Sequence, residues 1–337
     1  MSRAAQLAAI LALSMLLRPG VARAVEFTPG PYQTHDGALL LNAGGDFVEP
    51  YFATKALLVA GDAGLDVHRA GEAWIAWMLP RQLKDGRFER FCDKRHKGWK
   101  ACGHADADDS MLALWLQLLY RMSPPEGLRP EWKQSADRAE AHLFSLRRGR
   151  LHVYSVSRHN HVGLLMDNAE VYSALREMAE AQRRWGDAAH AQQLSERADD
   201  LRHGIAKTFW DSRRRLFRVS TQAGGRWLFY PDAVAQTYVL LAGLSDPGED
   251  AATTWRRWNA AYGEAWLARK EDPHPWGLLA LTAAHLGDSA TAGCWEYRAR
   301  GLRHAAVWNI LEEAAYQALA ARGPAGAAAC SEWSRLQ

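Results

Sequence analysis

The chain has 337 residues, a formal net charge of +3 and 48% hydrophobic residues. That near balance gives no basis for binding nucleic acid or an anionic membrane, and the length allows one large domain or two small ones. Thirteen prolines and 27 glycines fit an ordinary folded chain, but fifteen tryptophans are an excess that points to stacking on sugar rings or aromatic ligands as well as to core filling.

The N-terminus reads as a secretory leader. Arg3 supplies the positive start, Leu7 to Leu17 form an apolar run too short to span a bilayer, and Ala22-Arg23-Ala24 is an A-x-A cleavage site. The expected organisation is a signal peptide over 1–24 and a single catalytic domain over 25–337, periplasmic or secreted, with no membrane insertion after cleavage. Export favours oxidised cysteines. Of the three pairings four cysteines allow, proximity favours Cys92 with Cys102 and Cys294 with Cys330. No C-x-x-C or H-x-x-x-H pair occurs, and neither a metal nor another cofactor is expected. The loop histidines His159 and His161 are polar loop residues or ligand contacts.

Helical patterns dominate from Glu49 onward. Phe52, Ala56, Leu57, Val59 and Ala60 recur at helical spacing up to a break at Gly61-Asp62-Ala63-Gly64. A second helix over Ala70–Met78 stops at Pro80, and a long loop, Arg81 to His104, carries two cysteines, Trp99 and several basic residues. The third helix opens at Ala105-Asp106-Ala107-Asp108-Asp109-Ser110, and the fourth runs from about Glu131 to Leu146. Leu151-His152-Val153-Tyr154 alternates as a short strand would. Helices five and six start near Leu165 and Asp187. A second β-like patch spans Leu216–Leu228 with Gly224-Gly225 as its turn. Further helices begin near Asp232, Glu249, Pro275, Asp288 and Ala305, with a short last one near the C-terminus. Eleven or twelve helices in pairs, irregularly spaced, predict an all-α (α/α)6 barrel with small β-like insertions rather than an open solenoid, whose repeats would be regular.

The odd-numbered helices open on unusual polar and aromatic residues. These are Glu49-Pro50-Tyr51, the triple acid Asp106, Asp108 and Asp109, Asp167-Asn168, Tyr230-Pro231-Asp232 with Gln236, His274-Pro275-Trp276, and Trp308-Asn309. If these helices form the inner ring, the polar starts converge at one end. Aromatic platforms with paired carboxylates there would make a polysaccharide site. The competing reading is that each acid caps its own helix.

Three of these segments resemble glycoside hydrolase family 8, the bacterial endoglucanases, within the six-hairpin glycosidases. Val48-Glu49-Pro50-Tyr51 is similar to that family's Ser-Glu-Gly segment. Asp106-Ala107-Asp108-Asp109-Ser110-Met111 is similar to its Asp-Ala/Gly-Asp signature, and Tyr230-Pro231-Asp232-Ala233 to its Tyr-Asp-Ala segment. Pro50 stands where the family has glycine, and Ala235 where arginine is usual. The resemblance implies an inverting hydrolase with Glu49 as general acid, Asp232 as base and Asp106, or Asp108 or Asp109 in its place, gripping the central sugar. Asp108, Asp109, Trp99, Asp167, Asn168, Tyr230, Gln236, Trp276 and Trp308 are the expected substrate contacts. Asp167-Asn168-Ala169-Glu170 is also similar to segments of unsaturated-uronyl hydrolases and sugar epimerases. Two other functions fit the same pattern. One is a lyase on acidic glycans using His159 or His161 with Tyr172 or Tyr230, and Arg158. The other is a non-catalytic toroid serving a polysaccharide or exopolysaccharide secretion machinery.

Overall fold

The computed structural model describes residues 24–336 apart from Ala223 and Pro324; the expected leader therefore lies outside the described residues except for Ala24. Twelve α-helices are described, in six consecutive hairpins: α1 (Pro50–Asp62) and α2 (His68–Met78), α3 (Asp108–Met122) and α4 (Pro130–Ser145), α5 (Leu165–Arg184) and α6 (Ala188–Phe209), α7 (Val234–Leu241) and α8 (Ala251–Leu267), α9 (Gly277–His285) and α10 (Ser289–Ala299), α11 (Ile310–Ala320) and α12 (Ala327–Leu336). Each odd helix packs on the next odd helix, and α11 packs back on α1, so the inner ring closes. The expected all-α toroid is the fold observed.

The two rings differ in composition as their surroundings require. α7 and α9 are apolar nearly all round, as helices enclosed on every side must be, whereas outer helices such as α6 bury only one stripe. Ten of the fifteen tryptophans are buried and fill the space between the rings, and Trp74–Trp77 and Trp255–Trp258 stack there. The core therefore takes most of the tryptophan excess.

Small antiparallel sheets decorate the loops. β1 (Phe47–Val48), β2 (Glu89–Cys92) and β3 (Lys100–His104) form one sheet, while β4 (Arg147–Arg148) with β5 (Val153–Tyr154) and β6 (Trp210–Asp211) with β7 (Leu216–Phe217) form two hairpins. Among the described residues no strand pairing spans the turn expected at Gly224-Gly225. Leu216–Phe217 pair backwards with Trp210–Asp211. The amide of Gln236 fixes this by accepting from Phe217 N and donating to Phe217 O, both at 2.9 Å. The eleventh helix begins at Ile310 rather than near Ala305, because Asn309 caps it at Leu311 N and Glu312 N.

Both expected disulfides, Cys92–Cys102 and Cys294–Cys330, are present. No helix among the described residues is long and apolar enough to cross a membrane.

One close approach fixes the position of the β4–β5 hairpin. A Cβ at Gly204 of α6 would lie 2.1 Å from the carbonyl oxygen of His152. Gly204→Ala is expected to cost about 1–3 kcal/mol, because backbone must move on one side. A lower midpoint of chemical denaturation with unchanged slope is the expected readout.

Candidate active site

Side-chain capping varies around the ring: inner helix α11 is capped by Asn309, and outer helices α2 and α4 have no side-chain cap bond. Outer helices α6, α8 and α10 are capped by Asp187, Asp250 and Asp288, each accepting from the backbone nitrogen three residues on. Inner helices α1, α3, α5, α7 and α9 have no side-chain cap bond. Asp109 itself accepts from Ser110 N at 3.0 Å and so takes up one free donor of the α3 start.

Asp109 of α3 and Asp167 of α5 form the floor of this end. The two carboxyls are close enough to perturb each other's ionisation, and the Oδ2 of each has no hydrogen-bond partner. Two buried carboxylates so placed cannot both ionise cheaply, which favours the protonated form. Burial pushes Asp109 up to about 7. Asp167 is raised well above the carboxylate range by burial first and by the charges of Asp109 and Asp106 second.

Glu49 stands beside them at the foot of α1. It is only 3% exposed, its Oε1 has no partner, and burial raises its pKa against the pull of the Arg90 guanidinium, which it contacts. Arg90, in β2, also reaches Asp106 at 3.3 Å. Asp106 itself is 65% exposed, the one open carboxylate of the group.

Below the floor lies a buried polar layer. Lys55 of α1 meets Glu170 of α5 and lies 4.0 Å from the Tyr238 ring, and Tyr51 donates to Glu170 Oε1 at 2.7 Å. Burial pulls the Lys55 ammonium down to about 7. A cavity of about 330 Å³ opens beyond this layer, at the other end of the ring, lined by Leu58, Asp62, Arg121, Leu278 and His285. It has the volume of a small-molecule site, but the coupled acids lie on the opposite side of Lys55.

Aromatic residues form one wall above the acids. Tyr230, 46% exposed, stacks on Trp276 with centroids 4.9 Å apart and planes at 22°. Trp276 sits in the left-handed region (φ 52°), a conformation a bulky residue holds only when its surroundings impose it. Glu312 of α11 imposes it from below by accepting from Gly277 N at 2.6 Å; burial raises this carboxyl to about 7. A second stack, Trp227 on Tyr262, continues the wall outward.

The structure therefore brings together Glu49, Asp106, Asp109, Asp167, Tyr230 and Trp276. Other expected contacts are placed elsewhere. Asp108 turns outward toward His142, 3.8 Å away. Asn168 is fully buried and holds β5 through Tyr154 N and O, as Gln236 holds β7. Trp308 is fully buried, stacks on Trp295 and donates to Glu313. Trp99, in the turn just before β3, packs edge-on against Trp77. The Asp232 carboxylate accepts from Leu228 N at 3.0 Å and raises the pKa of Tyr262, so it lies toward the outer aromatic stack. His159 and His161 are exposed loop residues, and Tyr172 is buried.

Residues that sequence reasoning missed are Arg90, Lys55, Glu170, Tyr238, Trp227 and Tyr262. The lone lysine in the apolar run Phe52–Ala60 is the available signal for a buried charge pair. Arg90 offers none, being one base among many in its loop.

No family model and no curated protein matches the sequence. Solved structures match it in shape. A glycosidase in complex with glucose superposes with a TM-score of 0.56 at 12% identity, over 86% of this chain and 92% of that one. An alpha-amylase from Clostridium perfringens gives 0.53 at 10% identity, over 87% and 93%. A rhamnosidase from Klebsiella oxytoca with rhamnose bound gives 0.52 at 12% identity, over 76% of this chain and 50% of that one. The chain shares the fold of these glycosidases. At such identities the likeness concerns the toroid and not the chemistry.

Proposed function

We propose that the chain is an exported glycoside hydrolase that cleaves a bacterial polysaccharide by carboxylate acid/base catalysis with inversion. The observation that carries this reading is the buried carboxyl pair Asp109–Asp167, set at the inner-helix starts near the Tyr230–Trp276 wall. The shared fold of glycosidases, one of them a glucose complex, supports it. Export is supported by the leader-like N-terminus and by two disulfides.

In this reading a sugar stacks on Tyr230 and Trp276, and its glycosidic oxygen takes a proton from Asp167, the member of the pair that senses Asp106 and Tyr230. Asp109 lies behind it and positions the proton. Glu49, also buried, lies next to the Arg90–Asp106 pair and is the alternative donor. Asp106 is open to solvent and steadied by Arg90, which suits a base that activates water. Asp232, the base implied by family resemblance, is the competitor for that role.

The test is incubation of the mature protein with cellulose, mixed-linkage glucans, chitosan and acidic exopolysaccharides, scoring new reducing ends. NMR of the first-formed anomer reads the stereochemistry. Release of inverted product on one of them is the expected result; no cleavage across the panel overturns the reading.

A pH profile provides a second check. The donor must be protonated, and burial raises Asp167 well above the carboxylate range, so kcat/KM is expected to hold through the ordinary aspartate range and to fall only at higher pH. In Asp109→Asn the like charge behind Asp167 is gone, which lowers the Asp167 pKa and moves the alkaline limb to lower pH. An unmoved limb would remove Asp109 from this role.

A further inference from the structure

The segment 81–104 contains eight lysines and arginines against three acids, a net charge of +5 in a chain whose total is +3. All of the chain's positive excess therefore lies in this segment, and the remainder is net negative. The segment holds the β2–β3 hairpin, whose first strand pairs with β1 immediately before Glu49. Its roots are packed and paired: Arg81 lies over the Trp77 ring, Arg87 meets Asp85, and Arg90 meets Glu49 and Asp106.

The tip is different. Lys94, Arg95, Lys97 and Lys100 are all exposed, and Asp93 is the one acid among them in the sequence. Four like charges on one short hairpin repel one another and lower its stability. The Cys92–Cys102 bond closes the hairpin across that repulsion, and Trp99 and Phe91 anchor it on Trp77. A fixed arm with an excess of cations is thereby held on the strand paired with β1, next to the start of α1 at Glu49.

We propose that this arm grips an acidic polysaccharide, so that the substrate of the site is a polyanionic glycan carrying uronate-type carboxylates. The proposal rests on the glycoside hydrolase reading for turnover, but not for binding. The cations at the tip hold carboxylates of sugars outside the cleavage point. Arg90 meanwhile occupies the inner acids Glu49 and Asp106, and the protonated floor lessens repulsion of the incoming chain. Lysines serve here as hydrated point charges that tolerate a sliding polymer, where a single bidentate contact would need arginine geometry.

The experiment is affinity electrophoresis of the native protein in gels containing polygalacturonate, alginate, mixed-linkage glucan or duplex DNA, at about 20 and 300 mM salt. Retardation by a polyuronate, weaker at high salt and lost in Lys94→Ser/Arg95→Ser/Lys97→Ser/Lys100→Ser, is expected. Where the polyuronate is also cleaved, KM in that variant is expected to rise about tenfold with kcat retained, because only contacts outside the cleavage point are lost. Absence of polyuronate retardation, or equal retardation by DNA, overturns the proposal. Retardation without cleavage leaves the glycan-gripping arm standing and removes the hydrolase reading. Cleavage of neutral glucan alone, without polyuronate binding, does the reverse.

Discussion

Replacing Asp167 by asparagine is expected to lower kcat on the cleaved glycan by about 10³-fold while the protein still binds it, because a positioned general acid contributes about 10²–10⁴. Reducing-end assays together with affinity electrophoresis measure the two quantities separately. Asp106→Asn is expected to lose as much, and Asp232→Asn far less; the reverse order would return the base to Asp232 and the α7 start. Glu49→Gln tells the two candidate donors apart. The Asp167 variant carries a second signature. In the folded protein the carboxyl pair has raised pKa values, so folded protein holds more protons than unfolded between the ordinary aspartate range and neutrality. Stability contributed by the pair is therefore lost as pH rises. Asp167→Asn and Asp109→Asn are expected to melt higher than the native sequence at pH 8 and to differ little from it at pH 4. Loss of activity with a gain of stability is the pattern of a site held against its own electrostatics. A variant that is inactive and also unstable at pH 8 would mark the pair as structural.

The second large effect lies one layer deeper. Lys55 and Glu170 are both buried, and Glu170 Oε2 has no partner. Lys55→Met is expected to cost about 3–5 kcal/mol, since it leaves an uncompensated carboxylate between α1 and α5. Lys55→Met/Glu170→Met is expected to recover most of that loss, because breaking a buried pair costs more than replacing it by well-packed apolar groups. Urea denaturation of the single and double variants measures both values. A loss below about 1 kcal/mol in Lys55→Met, within the range of an exposed ion pair, would show that the layer contributes little to holding the ring.

Much of the fold was legible because an inner helix must be apolar on nearly every side while an outer one need not be. The irregular spacing of helix starts told a closed ring from a repeat array, and the proximity of the cysteines told their pairing. The β6–β7 register was not legible, since it is fixed by Gln236, nineteen residues from Phe217, and not by the glycine pair that suggested a turn. The site was legible as a set of helix starts but not as a geometry. Among the three acids at the start of α3, helical rotation sends Asp108 toward His142 and Asp109 toward Asp167, and a run of identical side chains carries no mark of that difference. Asn168 and Gln236 look like sugar-binding amides in sequence because the same hydrogen-bonding groups serve a backbone edge equally well.

The closure of the ring bears on how the chain matures. α1 packs against α11, Ile310 N donates to Leu41 O, and the Gln317 amide exchanges two hydrogen bonds with Thr28. The first inner helix thus finds its last neighbour only after some 250 further residues have been made. During synthesis its apolar flank stays uncovered, which is the condition under which nascent chains aggregate or recruit chaperones. A chain shortened before α11 loses a wall of the first hairpin as well as its own end.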